Sequence, residues 1–216
     1  MTLVDCSHPI ETGMPTYPGD PDVALSSHAT HESDGYSVTG VQMGSHTGTH
    51  VDAPRHTEPD GKTLDAFSVA DFRFDARIVD LPNLDDRDAI PPTVVPNTDA
   101  DMLVFRTGWD AYWDTPRYAE HPYLAPATAE RCAEAGYHVG LDTLSPDPTP
   151  TESATAAEPS GVPAHHALLG ADCLVVENLT GLGGLPRSVT LHAYPLALGV
   201  DGAPVRAVAE PNRAHR

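Results

Sequence analysis

The segment spanning residues 45–56, SHTGTHVDAPRH, restricts the fold of this chain more than any other stretch. Its three histidines and its aspartate all occupy even-numbered positions, so a β-strand would place their side chains on one face. A straight strand rises about 3.3 Å per residue, however, and would leave His46 roughly 20 Å from Asp52. Gly48 and Pro54 interrupt regular structure and allow the chain to bend. We therefore predict that the segment curls and gathers its polar side chains.

The gathered side chains are candidate ligands for a divalent metal. Imidazole and carboxylate groups bind such ions at about 2 Å, so His46, His50 and Asp52 can share one only if the chain folds around it. An HxxxH pair alone is a weak motif. The added aspartate and His56 at fixed offsets favour a metal site over a solvated polar loop, because buried imidazoles require hydrogen-bond partners.

The charge balance argues against whole classes of partner. The chain has 31 acidic and 12 basic residues, a net charge of −19, and Lys62 is its only lysine. Such a chain repels nucleic acids and anionic membranes. Because molar salt shortens the range of self-repulsion to about 3 Å, we predict a halophilic protein from a salt-rich cytoplasm. An ordinary acidic protein of a low-salt cytoplasm is the alternative.

The cysteines and the hydropathy also indicate a cytoplasmic location. Cys6, Cys132 and Cys173 are odd in number and unrelated in spacing, which does not suit a disulfide framework. The sequence contains no run of about 18 apolar residues that could span a membrane, and its first residues lack the pattern of a signal peptide.

Separated apolar segments predict one strand-rich domain over residues 1–216. Strands are expected in seven segments: 23–30, 36–44, 76–81, 101–109, 137–147, 172–179 and 188–200. The sequence PATAERCAEAG predicts a helix that begins at Pro126 and stops before Gly136. Residues 146–166 contain five prolines and are expected to form a surface loop. The predicted class is mixed α/β, with a central, largely antiparallel sheet or open barrel and flanking helices.

The motif HTGTHVDAPRH closely resembles the HxGTHxDxPxH motif of a family of cyclase-like metal-dependent hydrolases. That family includes bacterial kynurenine formamidases and isatin hydrolases. PTYPGDP, FRTGWDAYW, GLDTLSPD and HHALLGADCLVVENL resemble further segments of the family and follow in the same order. The resemblance implies a cyclase-like, swivelling β/β/α architecture. It also implies a homo-oligomer, either a dimer or a tetramer.

The resemblance further implies a metal site with two zinc or manganese ions. Its implied ligands are His46, His50, Asp52, His165 and Glu177. The family's late histidine lies twelve residues before its glutamate, which gives His165, with the adjacent His166 as the rival. A single ion with fewer ligands is the alternative.

The implied reaction is hydrolysis of a small, aromatic amide by a metal hydroxide. The resemblance makes His56 the proton-transferring residue, with a role as a further metal ligand as the alternative. Tyr17 is expected to stack on the substrate ring or to pack under its own turn. The leading substrate is N-formylkynurenine, which would yield kynurenine and formate in tryptophan catabolism. An isatin-hydrolase-like cyclic amide or lactone hydrolase is the second hypothesis, and a non-catalytic metal-binding protein is the third.

Two other polar residues follow the predicted strand at 137–147. Asp142 and Ser145 are expected either near the site or in a capping role at the strand end. The aromatic residues after the RTG sequence are expected mostly in the core; they are Phe105, Trp109, Tyr112 and Trp113.

Overall fold

The computed structural model describes residues 3–212. Thirteen β-strands and three α-helices lie within that range, linked by turns and short 3₁₀ helices. The strands are β1 Val4–Asp5, β2 Ala24–Ala29, β3 Val38–Gln42, β4 His50–Asp52, β5 Arg73–Asp80, β6 Ala89–Ile90, β7 Met102–Arg106, β8 Tyr123–Leu124, β9 His138–Leu141, β10 Val175–Glu177, β11 Ser188–His192, β12 Gly202–Pro204 and β13 Val208–Pro211. The helices are α1 His31–Asp34, α2 Pro126–Glu134 and α3 Pro163–Leu169.

One mixed sheet joins nine of the strands in the order β1-β13-β11-β5-β7-β9-β10-β4-β12. Its central strands β5, β7, β9 and β10 run parallel, whereas the strands on both flanks pair antiparallel. Within residues 3–212 the edge strands β1 and β12 do not pair with each other, so the sheet is open. The predicted mixed α/β class is confirmed, and the antiparallel pairing that was predicted occurs on the flanks of the sheet.

The strand β7 separates two layers of core because its side chains alternate between the faces of the sheet. Met102 and Val104 pack with apolar residues of β5, β11 and β13. Leu103 and Phe105 pack on the other face, with apolar residues of α2 and α3. Because both faces are covered, all four residues are apolar and at most 1% exposed.

The two longer helices lie on the same face of the sheet. Helix α2 begins at Pro126 and ends just before Gly136, whose φ of 74° breaks the helical path, as predicted. The prediction of a surface loop is wrong at both ends of the segment, because residues 146–149 are buried and the residues from Pro163 onward form helix α3. Its apolar residues, among them Ala164 and Leu168, are buried next to α2. None of the helices in the described range is long and apolar enough to cross a membrane.

The strand β4 lies between β10 and β12, and its register determines which polar side chains meet. His50 is paired with Glu177 of β10, and Asp52 is paired with Gly202 of β12. Paired residues project from the same face of a sheet, as do residues two apart on one strand. His50, Asp52 and Glu177 therefore project together, close to one edge of the sheet.

The excess of acidic residues leads to a prediction about salt. The 31 acidic side chains outnumber the 12 basic ones, so one-to-one pairing leaves most of the negative charge unbalanced. We expect the unfolding temperature to rise by at least about 5 °C between roughly 0.1 and 2 M KCl, because screening would remove roughly 2 kcal/mol of repulsion. Thermal unfolding followed by circular dichroism measures this. Sucrose is the control because it favours burial without screening charge. Equal stability in dilute buffer would contradict the halophilic prediction.

Candidate metal centre

Two neighbouring strands supply the first part of the candidate site. His50 and Asp52 project from β4, and Glu177 projects from the paired position of β10. His50 Nε2 lies 3.1 Å from Asp52 Oδ1 and 3.2 Å from Glu177 Oε2. All three side chains are buried. The register of the sheet thus brings one imidazole and two carboxylates together away from bulk water.

His46 reaches the same cluster because the chain bends before β4. Gly48 has a φ of 60°, in the left-handed region that glycine adopts without strain. The bend places His46 Nδ1 2.8 Å from Asp52 Oδ1. It also places His46 Nε2 2.9 Å from Asp201 Oδ2. The segment is curled, as the sequence predicts.

Helix α3 adds a third histidine to the cluster. His165 Nε2 lies 3.2 Å from Glu177 Oε1 and 3.7 Å from Asp52 Oδ2. His166 turns outward, and its Nδ1 lies 2.8 Å from Oε1 of Glu58 near the surface. The structure therefore brings His165 to the cluster and leaves His166 outside it.

Hydrogen bonds fix which imidazole nitrogen faces the carboxylates. His50 donates Nδ1–H to the carbonyl oxygen of Gly48 at 2.8 Å. His165 donates Nδ1–H to the carboxylate of Asp147 at 2.8 Å, and the same carboxylate accepts the backbone N–H of His165 at 3.0 Å. Both imidazoles consequently turn Nε2 inward, which is the arrangement that metal-ligating histidines adopt.

Three buried atoms of the cluster have no hydrogen-bond partner in the part of the chain that the structure describes: His50 Nε2, Asp52 Oδ2 and Glu177 Oε1. Leaving such an atom unpaired costs about 1–3 kcal/mol, so buried polar atoms are nearly always bonded. Two carboxylates and inward-facing nitrogen lone pairs repel one another unless a positive charge lies between them. The donor set therefore fits a divalent ion such as zinc or manganese.

The pKa shifts of the cluster also indicate that it needs a positive charge. Burial opposes protonation of His50 and His165, but the carboxylates around them outweigh it and hold both pKa values well above the ordinary range. Burial also favours the neutral form of Asp52 and Glu177. The neighbouring histidines outweigh that effect and lower the pKa of both carboxyl groups. Protons on the imidazoles thus provide the positive charge that a metal ion would otherwise provide.

A cavity of about 310 Å³ opens next to the cluster, and His56 lines it. The His56 ring lies 4.0 Å from that of His46 and 5.3 Å from that of His165, measured between centroids. Burial lowers the pKa of His56, although the charge of Asp52 opposes the effect. The imidazole is therefore neutral near neutral pH and can accept a proton.

Tyr17 also lines the cavity, on the side next to a group of aromatic residues. Its ring packs against a buried group that contains Trp109, Tyr118 and Leu144. Burial raises the pKa of the Tyr17 hydroxyl, so the residue presents a neutral ring to the cavity. Tyr17 therefore packs against this group on one side and faces the cavity on the other, and its stacking on a substrate ring stays a prediction.

Asp142 lies outside the cluster. Its buried carboxylate accepts the hydroxyl of Thr107 at 2.6 Å and the backbone N–H groups of Thr107 and Gly108 at 2.7–3.0 Å. It therefore anchors the RTG turn after β7, in agreement with the structural role considered for it. Ser145 lines the cavity, and Trp109 is buried beneath it in the aromatic group with Tyr17.

Two carboxylates of the site were not predicted from the sequence. Asp147 orients His165, and Asp201 contacts His46. Asp147 is the last residue of GLDTLSPD, where the predicted strand at 137–147 overlaps the predicted loop at 146–166. Asp201 had no local signal, since its only distinguishing feature is a partner 155 residues away in the sequence.

Comparison with known proteins identifies the family and agrees with the mixed α/β fold. A family model described as "Putative cyclase" matches residues 4–148. The chain belongs to this cyclase family, which confirms the resemblance seen in the sequence.

Curated relatives and solved structures extend the match over the whole chain. A kynurenine formamidase of Salinibacter ruber is 32% identical, with 96% of this chain and 97% of the relative covered. One of Bacillus cereus is 31% identical over the same shares. A structure described as a potential metal-dependent hydrolase with cyclase activity has a TM-score of 0.78 and 26% identity, with 99% of each chain covered. Isatin hydrolase A from Labrenzia aggregata, bound to benzyl benzoate, has the same fold, with a TM-score of 0.83, 21% identity, and 98% and 94% covered.

Metal loading should have a measurable effect on stability. An ion that binds only the folded chain, supplied at about 100 times its dissociation constant, stabilises it by about 2.7 kcal/mol, or roughly 5–10 °C. We expect shifts of this size when zinc or manganese is added to chelator-treated protein. Differential scanning fluorimetry measures them. Magnesium is the control because it prefers an octahedral set of oxygen ligands. Identical unfolding temperatures with and without zinc and manganese would rule out the metal centre.

Proposed function

We propose that this chain is a metal-dependent amide hydrolase of the kynurenine formamidase type. The reaction would convert N-formylkynurenine and water to kynurenine and formate. One observation carries the proposal: the unpaired buried atoms of His50 and Glu177 border a cavity of about 310 Å³ that His56 also lines. That volume suits a small molecule. The relatives named kynurenine formamidase, 32% and 31% identical, support the choice of substrate.

The cluster favours two ions over one. His46, His50 and Asp52 offer ligand atoms within 4.8 Å of one another, and so do Asp52, His165 and Glu177. The two groups together would hold two ions, and Asp52 belongs to both groups. Bound there, zinc or manganese would polarise the amide carbonyl and lower the pKa of a water molecule.

His56 supplies the proton transfer in this proposal. Amide hydrolysis forms a bond between the water oxygen and the carbonyl carbon and breaks the C–N bond, and the departing nitrogen must gain a proton. His56 borders the cavity in its neutral form, so it can take the proton that the attacking water loses. It then returns that proton to the departing amine, which restores the neutral imidazole.

Tyr17 would orient the aromatic part of the substrate. Its ring borders the cavity and is held from behind by Trp109 and Tyr118. A flat substrate ring can stack on it in an offset arrangement, which is worth about 0.5–1.5 kcal/mol beyond the area buried. Leu144 and Val162 add apolar surface to the same cavity. These contacts favour an aromatic amide over an aliphatic one.

A second candidate function is hydrolysis of a cyclic amide such as isatin. In the described part of the chain, no lysine or arginine lines the cavity, and Asp20 adds a negative charge. N-formylkynurenine carries an α-ammonium group, with which Asp20 could pair, and an α-carboxylate, for which such a lining offers no cationic side chain, whereas isatin is neutral. The composition of the cavity wall therefore favours this alternative, while the named relatives favour the formamidase.

A comparison of the two substrates tests both candidates. We expect the zinc- or manganese-loaded protein to hydrolyse N-formylkynurenine, a formanilide, or isatin, with the chelator-treated protein as the control. Faster turnover of N-formylkynurenine would support the leading candidate, and faster turnover of isatin the second. Metal binding without turnover of any of them would contradict both and leave a non-catalytic metal-binding protein.

A further inference from the structure

Asp201 is a carboxylate of the site that the motifs and the proposed reaction do not use. It directly precedes β12, which is paired with β4 along its whole length. Its carbonyl oxygen accepts the backbone N–H of Ala53 at 2.8 Å. The backbone is thus fixed beside the histidine-rich segment, and the side chain points back toward it.

The Asp201 carboxylate faces two imidazoles with one oxygen. Oδ2 lies 2.9 Å from His46 Nε2, which is a hydrogen bond. The same oxygen lies 3.7 Å from His56 Nδ1, which is too long for a hydrogen bond but close enough for a charge interaction. The two rings are in contact, with their centroids 4.0 Å apart. A single oxygen therefore touches the candidate ligand and lies beside the candidate proton carrier.

The next residue, Gly202, leaves the space that the His46 ring occupies. A Cβ atom at this position would lie 2.7 Å from His46 Cε1 and 3.0 Å from the carbonyl oxygen of Val51. Contacts this short are not tolerated, so the imidazole can lie against β12 only because residue 202 is glycine. Gly202 thus leaves room for the His46 ring beside β12, and Asp201 holds the Nε2 of that ring by a hydrogen bond.

We propose that Asp201 is a positioning residue that holds His46 as the tautomer protonated on Nε2 and aligns His56 through the contact between the two rings. With Nε2–H donated to Asp201, the lone pair of His46 Nδ1 points toward Asp52, which is where a metal ion would bind. Carboxylates play this orienting role for many metal-ligating histidines. The part that concerns His56 rests on the proposed hydrolase function, whereas the part that concerns His46 does not.

The first test requires no substrate. In zinc-loaded protein labelled with ¹⁵N-histidine, long-range N–H correlation spectra distinguish Nε2–H from Nδ1–H for each ring. We expect only Nε2–H for His46 in the wild type, and its partial replacement by Nδ1–H in Asp201→Ala, where the ring is free to turn and to bind zinc through Nε2. Competition with a chelator should show about 10–100-fold weaker zinc binding in the same variant. Asp201→Asn keeps the shape and one acceptor oxygen, so it should fold and retain part of the affinity.

Asp65→Ala is the matched control for this experiment. Asp65 lies beside Gly199, just before Asp201 in the chain, because a Cβ on Gly199 would lie 3.3 Å from the Asp65 carboxylate. That carboxylate accepts the hydroxyl of Thr63. The variant removes an equal charge from the same region without touching either imidazole. If Asp201→Ala leaves the His46 tautomer and the zinc affinity as they are in Asp65→Ala, the proposal is overturned.

The second test uses turnover at saturating metal. For a series of formanilides, Asp201→Ala should lower kcat with little change in KM. The loss should grow as the departing aniline becomes more electron-rich, because those amines depend most on a well-aligned proton donor. An equal loss across the series would overturn the alignment of His56. If the wild type hydrolyses none of these amides, the proposed function fails while the tautomer result still decides the role of Asp201.

Discussion

Replacing His165 with alanine should abolish metal binding at the group of Asp52, His165 and Glu177, whereas the same replacement of His166 should leave it unchanged. His165 Nε2 points at Glu177 from 3.2 Å, while His166 bonds to Glu58 and is largely exposed. Losing a group that merely orients a ligand weakens metal binding by about 10–100-fold, so losing the ligand itself should exceed about 100-fold. Isothermal titration with zinc and metal analysis of the dialysed protein measure the difference.

The two variants control for each other. Each removes the same atoms from consecutive positions of α3, so a general effect on the helix would appear in both. Circular dichroism of the metal-free proteins checks that both fold. If His166→Ala weakened zinc binding as much as His165→Ala does, the ligand set proposed here would be wrong.

Replacing His56 with alanine should abolish turnover while the metal content stays intact. A positioned acid and base contributes about 10²–10⁴-fold to a rate, and we expect kcat to fall by that factor. The imidazole lines the cavity at the edge of the cluster, so its removal leaves room for a small replacement. Added imidazole should therefore restore part of the activity, and kcat at saturating metal measures both effects.

His166→Ala also serves as the reference in this experiment because it removes an imidazole that is outside the cavity. Loss of metal from His56→Ala would assign His56 as a ligand. Unchanged kcat in that variant would remove it from the reaction altogether.

Local patterns in the sequence predicted seven of the thirteen strands in the described range and the longest helix. Hydrophobic periodicity and the proline and glycine residues at the ends of elements are local features of the sequence. For this reason α2 begins at Pro126 and β7 lies inside its segment, as predicted. The predicted antiparallel direction is wrong for the central strands, which run parallel, because a continuous apolar run is the same in parallel and antiparallel neighbours. Direction depends on which distant strands pair, and that is a property of the whole sheet.

Because helix α3 was not predicted, local patterns left the choice between His165 and His166 open. The prolines of residues 146–166 favoured a loop, although proline is well suited to the first turn of a helix. Once the helix is recognised, Ala164 and Leu168 define its buried face, and His165 lies beside that face. His166 then falls on the exposed side. The choice between the two histidines, made from the resemblance alone, thus had a physical signal that went unused.

The pairing of β4 with β10 and β12 also sets the order in which the cluster can form during translation. His50 leaves the ribosome 127 residues before its partner Glu177, and His46 leaves 155 residues before Asp201. In between, the nascent chain carries its histidine-rich segment with no strand to cover it. Contacts this distant along the chain form late and slowly. Capture of the proposed metal would therefore belong to the last stage of synthesis, and a chain stalled before β12 would expose the open edge of β4 to aggregation.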